Sequence, residues 1–171
     1  MTILRNSGSH DTQLRSWIHW FAFGFGTGTA PRAPGTMGTL AALVFVPVFA
    51  QFDWPWQIAW VLLTGALGIW LCDRTARDLG VHDHPGIVWD EFVGLWIVFI
   101  AVPLTWSNLV LGFLLFRFFD VLKPWPISWL DKRVKGGLGI MVDDVLAGLM
   151  ALLLLHLWLV SGWAATLSAG G

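Results

Sequence analysis

The stretch WPWQIAWVLLTGALGIWLC, residues 54–72, contains no charged side chain. A helix needs about 20 mainly apolar residues to cross the hydrocarbon core of a bilayer, and this stretch has nearly that length. A second uncharged run extends from Val145 to about Leu167. Two such runs predict a helical protein whose apolar segments lie in a membrane.

Three further apolar stretches are shorter: Thr39 to Phe52, Phe92 to Leu104, and Ser107 to Phe119. They are short for a full crossing and can instead be buried or re-entrant. Arg117 is the only charged residue in the last of them. Together the five stretches predict an all-α fold, a compact multi-pass helical membrane bundle with about five apolar helices.

The composition supports one domain in contact with lipid. Hydrophobic residues make up 56% of the 171 residues and charged residues 12%, against about 45–50% and about 25% in soluble domains. A net charge of −1 gives no reason to expect a nucleic acid partner. The single cysteine, Cys72, excludes an internal disulfide. We expect a flexible N-terminal tail over 1–15, one helical domain over 16–167 and a C-terminal tail over 168–171.

The charged residues indicate the orientation. If the apolar stretches cross in alternation, the loops 26–38, 73–91 and 120–143 lie on one side with the N-terminal tail, and Arg117 reaches toward that side. This side carries all the Lys and Arg residues, whereas the opposite side carries only Asp53. The positive-inside rule makes the charged side cytoplasmic. We therefore expect the active-site loops to face the cytoplasm.

The segment GTGTAPRAPGTMGT, residues 26–39, has the features of an anion cradle. Its Gly and Pro residues favour an irregular backbone whose N–H groups can approach a ligand closely. Thr29 and Thr36 add hydroxyl groups, and Arg32 adds a cation. The alternative is an ordinary loop that ends in a helix cap.

The segment VHDHPGIVWDEFVG, residues 81–94, concentrates five ionisable side chains before an apolar helix. They are His82, Asp83, His84, Asp90 and Glu91. Carboxylates are favoured at a helix N-terminus by the helix dipole alone, and the histidines can simply order the loop. Against both alternatives, acidic residues at a membrane boundary are costly unless they are partnered or functional.

The segment RFFDVLKPWPISWLDKRVKGGLGIMVDDVLAG, residues 117–148, holds the remaining candidates. Asp120 and Lys123 are one helical turn apart, before two prolines end the helix. Asp143 and Asp144 are expected at the first turn of the last helix, about 100° apart around its axis. A solvated patch that faces the lipid headgroups, with no catalytic role, is expected for Asp131, Lys132, Arg133 and Lys135.

Five carboxylates thus come from helix ends on one side: Asp90, Glu91, Asp120, Asp143 and Asp144. In a low-dielectric setting they repel one another, and a divalent cation resolves the conflict. Ligation by oxygen alone favours Mg²⁺, or Mn²⁺, over Zn²⁺. Because Mg²⁺ usually bridges to phosphate, metal-assisted phosphoryl chemistry is the leading class.

Three segments, APRAPGTMGTLAA, GVHDHPGIVWDEFVG and FRFFDVLKPWPISWLDKRVKGGLGIMVDDVLAG, closely resemble the bacterial phosphatidylglycerophosphatase A family. The resemblance runs from about Trp20 to His156 without a missing block. It implies an all-helical phosphatase domain of the bacterial inner membrane. It also implies Mg²⁺-dependent removal of the terminal phosphate of phosphatidylglycerophosphate, which gives phosphatidylglycerol.

On this basis the five carboxylates are expected to hold one or two Mg²⁺ ions, with Asp120 also close to the chemistry. Thr29, Arg32, Thr36 and Lys123 are expected to bind the substrate phosphate, and Lys123 to offset charge during the reaction. His84 or His82, positioned by Asp83, is expected to protonate the departing glycerol oxygen. The expected partners are the substrate and membrane lipids, and the oligomeric state is left open.

Three alternatives remain from the sequence. One is another membrane enzyme acting on lipid phosphates, either a phosphomonoesterase or a phosphoalcohol transferase, although the longer Asp-rich run of such transferases is absent. Another is a cation carrier, in which charge is expected at mid-membrane on broken helices. The third is a soluble helical domain with an unusually apolar core.

Overall fold

The computed structural model describes residues 16–81 and 84–161. Within them all regular structure is helical, which confirms the all-α prediction. A 3₁₀ turn, Thr27–Thr29, accompanies seven α-helices: α1 Trp17–Ala22, α2 Pro34–Phe49, α3 Trp54–Leu79, α4 Trp89–Val98, α5 Trp106–Leu122, α6 Ile127–Asp131 and α7 Gly136–Val160. The predicted tails, His82 and Asp83 lie outside the described residues.

Helices α3 and α7 are the two longest, with 26 and 25 residues. Within the described part of the chain, these two are long and apolar enough to cross a bilayer. Each of the five apolar stretches overlaps one helix, but α2, α4 and α5 are shorter. The structure therefore offers two candidate spans, and the number of crossings stays a prediction.

Helix α3 continues seven residues past its uncharged stretch. Two ion pairs at i,i+4 spacing, Arg74–Asp78 and Arg77–Asp73, support this extension. Gly80 then ends the helix in a left-handed conformation, with φ of 67°. The extension positions Asp73 to accept a hydrogen bond of 3.2 Å from the backbone N–H of Gly137 at the start of α7.

Helix α4 is the centre of the bundle. Asp90 is the single residue of its ten that is not buried, and the helix packs against α2, α3, α5 and α7. A methyl group on Gly148 would clash with the carbonyl oxygen of Gly94, and one on Gly94 would lie 2.7 Å from the carbonyl oxygen of Asp144. The backbones of α4 and α7 are therefore in contact. Helix α4 is buried in the protein, in agreement with one of the alternatives predicted for the short stretch from Phe92 to Leu104.

The bundle has two ends of different character. At the turn end, α2 and α4 end, and α3 and α5 begin. There Gln57 donates to the carbonyl of Phe49 and accepts from the backbone N–H of Ala101 at 2.8 Å, while Asn108 donates to the carbonyl of Pro103. At the acidic end, α4 and α7 begin and α5 ends, so the chain brings the carboxyl-bearing segments together.

One sequence expectation about α7 is wrong. Asp143 and Asp144 lie about two turns inside the helix and not in its first turn, because α7 already begins at Gly136. The glycines that precede them, Gly136, Gly137 and Gly139, are themselves helical. A Cβ on Gly137 would lie 2.5 Å from that of Asp73, so close packing on α3 compensates for the low helix propensity of glycine.

Candidate metal centre

A cavity of about 350 Å³ opens at the acidic end of the bundle. It contains all five carboxylates that the sequence singled out as metal ligands. Six carboxylates, two lysines and five other residues line the cavity. They are Pro85, Ile87, Asp90, Glu91, Asp120, Lys123, Asp131, Val134, Lys135, Gly139, Ile140, Asp143 and Asp144.

Three helices position these carboxylates. Asp90 and Glu91 occupy the first turn of α4, as predicted, where the helix dipole favours negative charge. Asp120 lies in the last turn of α5. Asp143 and Asp144 come from α7, and both are buried despite their charge, with 8% and 3% of their surface exposed. Carboxylates distant in sequence therefore converge at one point of the fold.

Arg117 joins two of the carboxylates. Its Nη1 lies 3.3 Å from Glu91 Oε1 and forms an ion pair with Asp120 one turn along α5. The same nitrogen donates to Thr39 Oγ1 at 3.3 Å. In the sequence Arg117 stands out only as a cation that reaches toward the charged side. The structure shows its partners, which are Glu91, Asp120 and Thr39.

Lys123 joins two others. It follows the last residue of α5 in a left-handed conformation, with φ of 41°. Its Nζ donates to Asp143 and, at 2.9 Å, to Asp131 Oδ1. Burial lowers the pKa of Lys123, but the hydrogen bonds to these carboxylates outweigh burial and raise it. Lys123 is therefore a permanent cation in the wall of the cavity.

Two residues of the expected solvated patch, Asp131 and Lys135, line the cavity. Their neighbours in sequence are basic, and for that reason no catalytic role was expected for them. The feature of the sequence that could have indicated this contact is the pair of prolines after Lys123, where the chain folds back and Asp131 meets the Lys123 ammonium.

The electrostatics of the cavity call for a further cation. Burial raises the pKa of Glu91 to about 8; Arg117 opposes this shift, and the charges of Asp120 and Asp143 add to it. Glu91 Oε2 and Asp143 Oδ1 are buried and accept no hydrogen bond from any residue that the structure describes. Buried acceptors without a donor are rare in folded proteins and mark a binding function.

The donor set fits a hard divalent cation. Six carboxylates and two lysines line the cavity and Arg117 adds a third cation behind it, so acids exceed bases by three when all are ionised. Within 16–81 and 84–161, however, no three Asp, Glu, His or Cys side chains already stand as a ready-made ligand set. Mg²⁺ does not require one, since it is usually bound by one or two carboxylates together with waters and phosphate.

The predicted anion cradle stands apart from this cavity. Thr29 Oγ1 donates to the carbonyl of Gly26 at 2.7 Å, Arg32 is exposed and Thr36 is half-buried. None of the three lines the cavity. The segment meets the site through Gly35 and Gly38, because neither has room for a methyl group beside the Glu91 carboxylate.

The histidine segment is described only from His84 onward. The backbone N–H of Gly86 donates to His84 Nδ1 at 3.0 Å, so in the neutral ring the proton is on Nε2. This bond orders the loop, and the next residue, Pro85, lines the cavity. His82 and Asp83 lie outside the described residues, and the catalytic role of the segment stays a prediction.

Comparisons with known proteins agree on one family. The family model Phosphatidylglycerophosphatase A matches residues 20–159. The chain is 48% identical over 134 residues to Phosphatidylglycerophosphatase A of Escherichia coli, covering 78% of each chain. It is 46% identical over 138 residues to the Haemophilus influenzae protein of that name, covering 80% of this chain and 85% of the relative.

A Bacteroides thetaiotaomicron protein named Putative phosphatidylinositol-3-phosphatase is 39% identical over 141 residues, covering 77% of this chain and 87% of the relative. No solved structure matches. The family match spans every helix from α2 to α6 and nearly all of α7. The chain therefore belongs to the phosphatidylglycerophosphatase A family and is a phosphatase.

Proposed function

We propose that this protein hydrolyses the terminal phosphomonoester of phosphatidylglycerophosphate in a Mg²⁺-dependent reaction, releasing phosphatidylglycerol and inorganic phosphate. The observation that carries the proposal is the convergence of Asp90, Asp120 and Asp143 on one cavity. The names of the Escherichia coli and Haemophilus influenzae relatives support the choice of substrate.

The bundle suits a substrate that stays in the bilayer. The cavity opens at the end where the helices give way to charged loops, so the acyl chains can remain in lipid while the headgroup enters. The bias of Lys and Arg toward this end supports a cytoplasmic orientation by the positive-inside rule. We therefore assign the protein to the bacterial inner membrane with its active site facing the cytoplasm.

We assign Mg²⁺, with Mn²⁺ as a substitute, to the carboxylates of Asp90, Glu91, Asp120, Asp143 and Asp144. A bound Mg²⁺ supplies positive charge for the phosphate oxygens and a coordinated water of lowered pKa. The protein contributes the Lys123 ammonium, which is held in the wall by Asp131 and Asp143. Lys135 at the cavity edge and Arg32 outside it attract the anionic headgroup by their charge, and Thr29 and Thr36 stay proposed substrate contacts.

Hydrolysis breaks the bond between phosphorus and the glycerol oxygen as a new bond to phosphorus forms, either from a water oxygen directly or from a carboxylate oxygen, in which case water then cleaves the acyl phosphate. The glycerol oxygen leaves more readily when it receives a proton. We assign the delivery of this proton to His84 or His82, with Asp83 as the group that positions the donor. An unchanged pH–rate profile in the His82→Ala, His84→Ala double variant would remove both histidines from this role.

The central test is phosphate release from phosphatidylglycerophosphate by the purified protein in detergent. We expect EDTA to abolish release and added Mg²⁺ to restore it. Asp90→Asn and Asp143→Asn should each remove most of the activity in folded protein. Asp53→Asn is the matched control, because Asp53 is exposed at the turn end and makes no side-chain cap bond. Near-normal activity in both cavity variants would disprove the metal assignment.

A second candidate is hydrolysis of other lipid phosphomonoesters. The name of the Bacteroides relative favours it, since that protein is named as a phosphatase of a phosphoinositide. A comparison of kcat/KM for phosphatidylglycerophosphate, phosphatidic acid and phosphatidylinositol 3-phosphate decides between the two. The same assay separates either enzyme from a cation carrier, because a carrier releases no phosphate.

A further inference from the structure

Arg117 is the most highly connected cation near the cavity. Its side chain is 18% exposed and reaches three helices at once. It contacts Glu91 of α4, Asp120 of its own helix α5 and Thr39 of α2. A cation within an apolar helix is costly unless it is partnered, so this arrangement requires an explanation.

Arg117 is placed behind the acidic site and not within it. Both of its carboxylate partners line the cavity, but Arg117 does not. Its direct contacts with the site are the carboxylates of Glu91 and Asp120. This distinguishes it from Lys123, which lines the cavity directly.

Helix α2 fixes the position of the guanidinium. Thr39 is fully buried, and its hydroxyl donates to the carbonyl of Gly35 at 2.9 Å. That bond turns a lone pair of Thr39 Oγ1 toward Arg117 Nη1. Gly35 and Gly38 meanwhile lie against the Glu91 carboxylate, where neither has room for a methyl group. Glu91 and Arg117 are thus both held by the first two turns of α2.

We propose that Arg117 is a positioning residue that fixes Glu91 and Asp120 relative to each other and so prepares the cavity for its metal ion. This inference rests on the proposed function. All three contacts are made by Nη1, whose two N–H groups have fixed directions in the guanidinium plane, whereas a lysine ammonium is a flexible point charge. Groups that orient metal ligands from behind typically contribute about 10- to 100-fold to metal affinity or activity.

The test measures Mn²⁺ binding by the purified protein in detergent without substrate, followed by electron paramagnetic resonance, beside kcat for phosphate release. We expect Arg117→Met and Arg117→Lys each to raise the Mn²⁺ dissociation constant by about 10-fold or more and to lower kcat. The loss in Arg117→Lys shows that charge alone is not sufficient. Arg74→Met is the matched control, since Arg74 forms an exposed ion pair with Asp78 and neither residue lines the cavity.

Thr39→Val keeps the inference testable if the Arg117 variants do not fold. It removes one hydrogen bond to Arg117 and leaves both ion pairs, so we expect a rise of about 2- to 10-fold in the Mn²⁺ dissociation constant. Unchanged or tighter Mn²⁺ binding in folded Arg117→Met, or in Thr39→Val where only that variant folds, would overturn the inference and leave the proposed function standing. An absence of Mn²⁺ binding by the unsubstituted protein would overturn the inference, whereas phosphate release that EDTA does not affect would overturn the proposed function.

Discussion

The two ends of the bundle both bury polar side chains, but they treat them differently. At the turn end, Gln57 is 4% exposed, and both its amide nitrogen and its oxygen have hydrogen-bond partners. At the acidic end, Glu91 and Asp143 each keep a buried oxygen that accepts no hydrogen bond from the described residues. A neutral group with both hydrogen-bond partners stabilises the fold, whereas a buried carboxyl oxygen without a donor is retained for a ligand.

The strongest test of this contrast is Asp144→Asn. Asp144 is 3% exposed and shares the cavity with the other carboxylates, so neutralising it relieves repulsion inside the protein. We expect phosphate release to fall by about 10²- to 10³-fold. Thermal unfolding in detergent should occur at the same or a higher temperature. A variant that is both less stable and fully active would reverse the proposed meaning of the two ends.

Gln57→Leu is the mirror experiment at the turn end. It leaves the backbone N–H of Ala101 without its acceptor, which is 2.8 Å away in the native protein. We expect the free energy of unfolding to fall by about 1–3 kcal/mol while kcat and Mg²⁺ dependence stay unchanged. Denaturant titration and the phosphate assay measure the two quantities. A loss of kcat in folded protein would show that this end also contributes to catalysis.

Gly38→Ala introduces a methyl group beside the acidic site. The new Cβ would lie 2.5 Å from Glu91 Oε2 and 2.6 Å from the Cβ of Val88, so Glu91 must move. We expect a loss of about 10-fold in kcat. Gly65→Ala is the matched control, since its Cβ would make an ordinary contact of 3.7 Å with Val93. Equal activities of the two variants would contradict a tightly positioned Glu91.

Lys135→Met is expected to have the smallest effect. Lys135 is exposed at the edge of the cavity, where its attraction to an anionic headgroup is weakened by solvent. We expect KM to rise by about 2- to 5-fold with little change in kcat. Lys132→Met serves as the comparison, because Lys132 is exposed in the same segment but does not line the cavity. The KM of Lys132→Met should stay closer to that of the unsubstituted protein.

The sequence alone predicted the helical class, because uncharged runs such as 54–72 can satisfy their backbone in lipid only as helices. It also predicted that the five carboxylates come together at one end of the bundle, because each lies at or near the end of an apolar run. Depth within a helix was harder to predict. Asp143 was expected too near the start of α7, because glycine has a low helix propensity and the packing of Gly137 on α3 is not visible in the sequence.

Contacts between distant segments were beyond the sequence for a similar reason. Arg117 and Glu91 are 26 positions apart, and their meeting depends on how α4 is enclosed by its neighbours. Asp131 was assigned to a solvated surface because its neighbours in sequence are basic and exposed. Only the fold-back after Lys123 shows that this carboxylate belongs to the cavity.

The contact between Gly94 and Gly148 limits how this enzyme can admit its substrate. With no side chains between them, the helices that carry Asp90 and Asp144 cannot slide or separate without breaking a backbone contact. The spacing of the two acidic pairs is thus a fixed dimension of the molecule. Any movement that widens the cavity is then left to the other parts of its wall, which are Pro85 and Ile87 before α4 and the segment that connects α5 to α7.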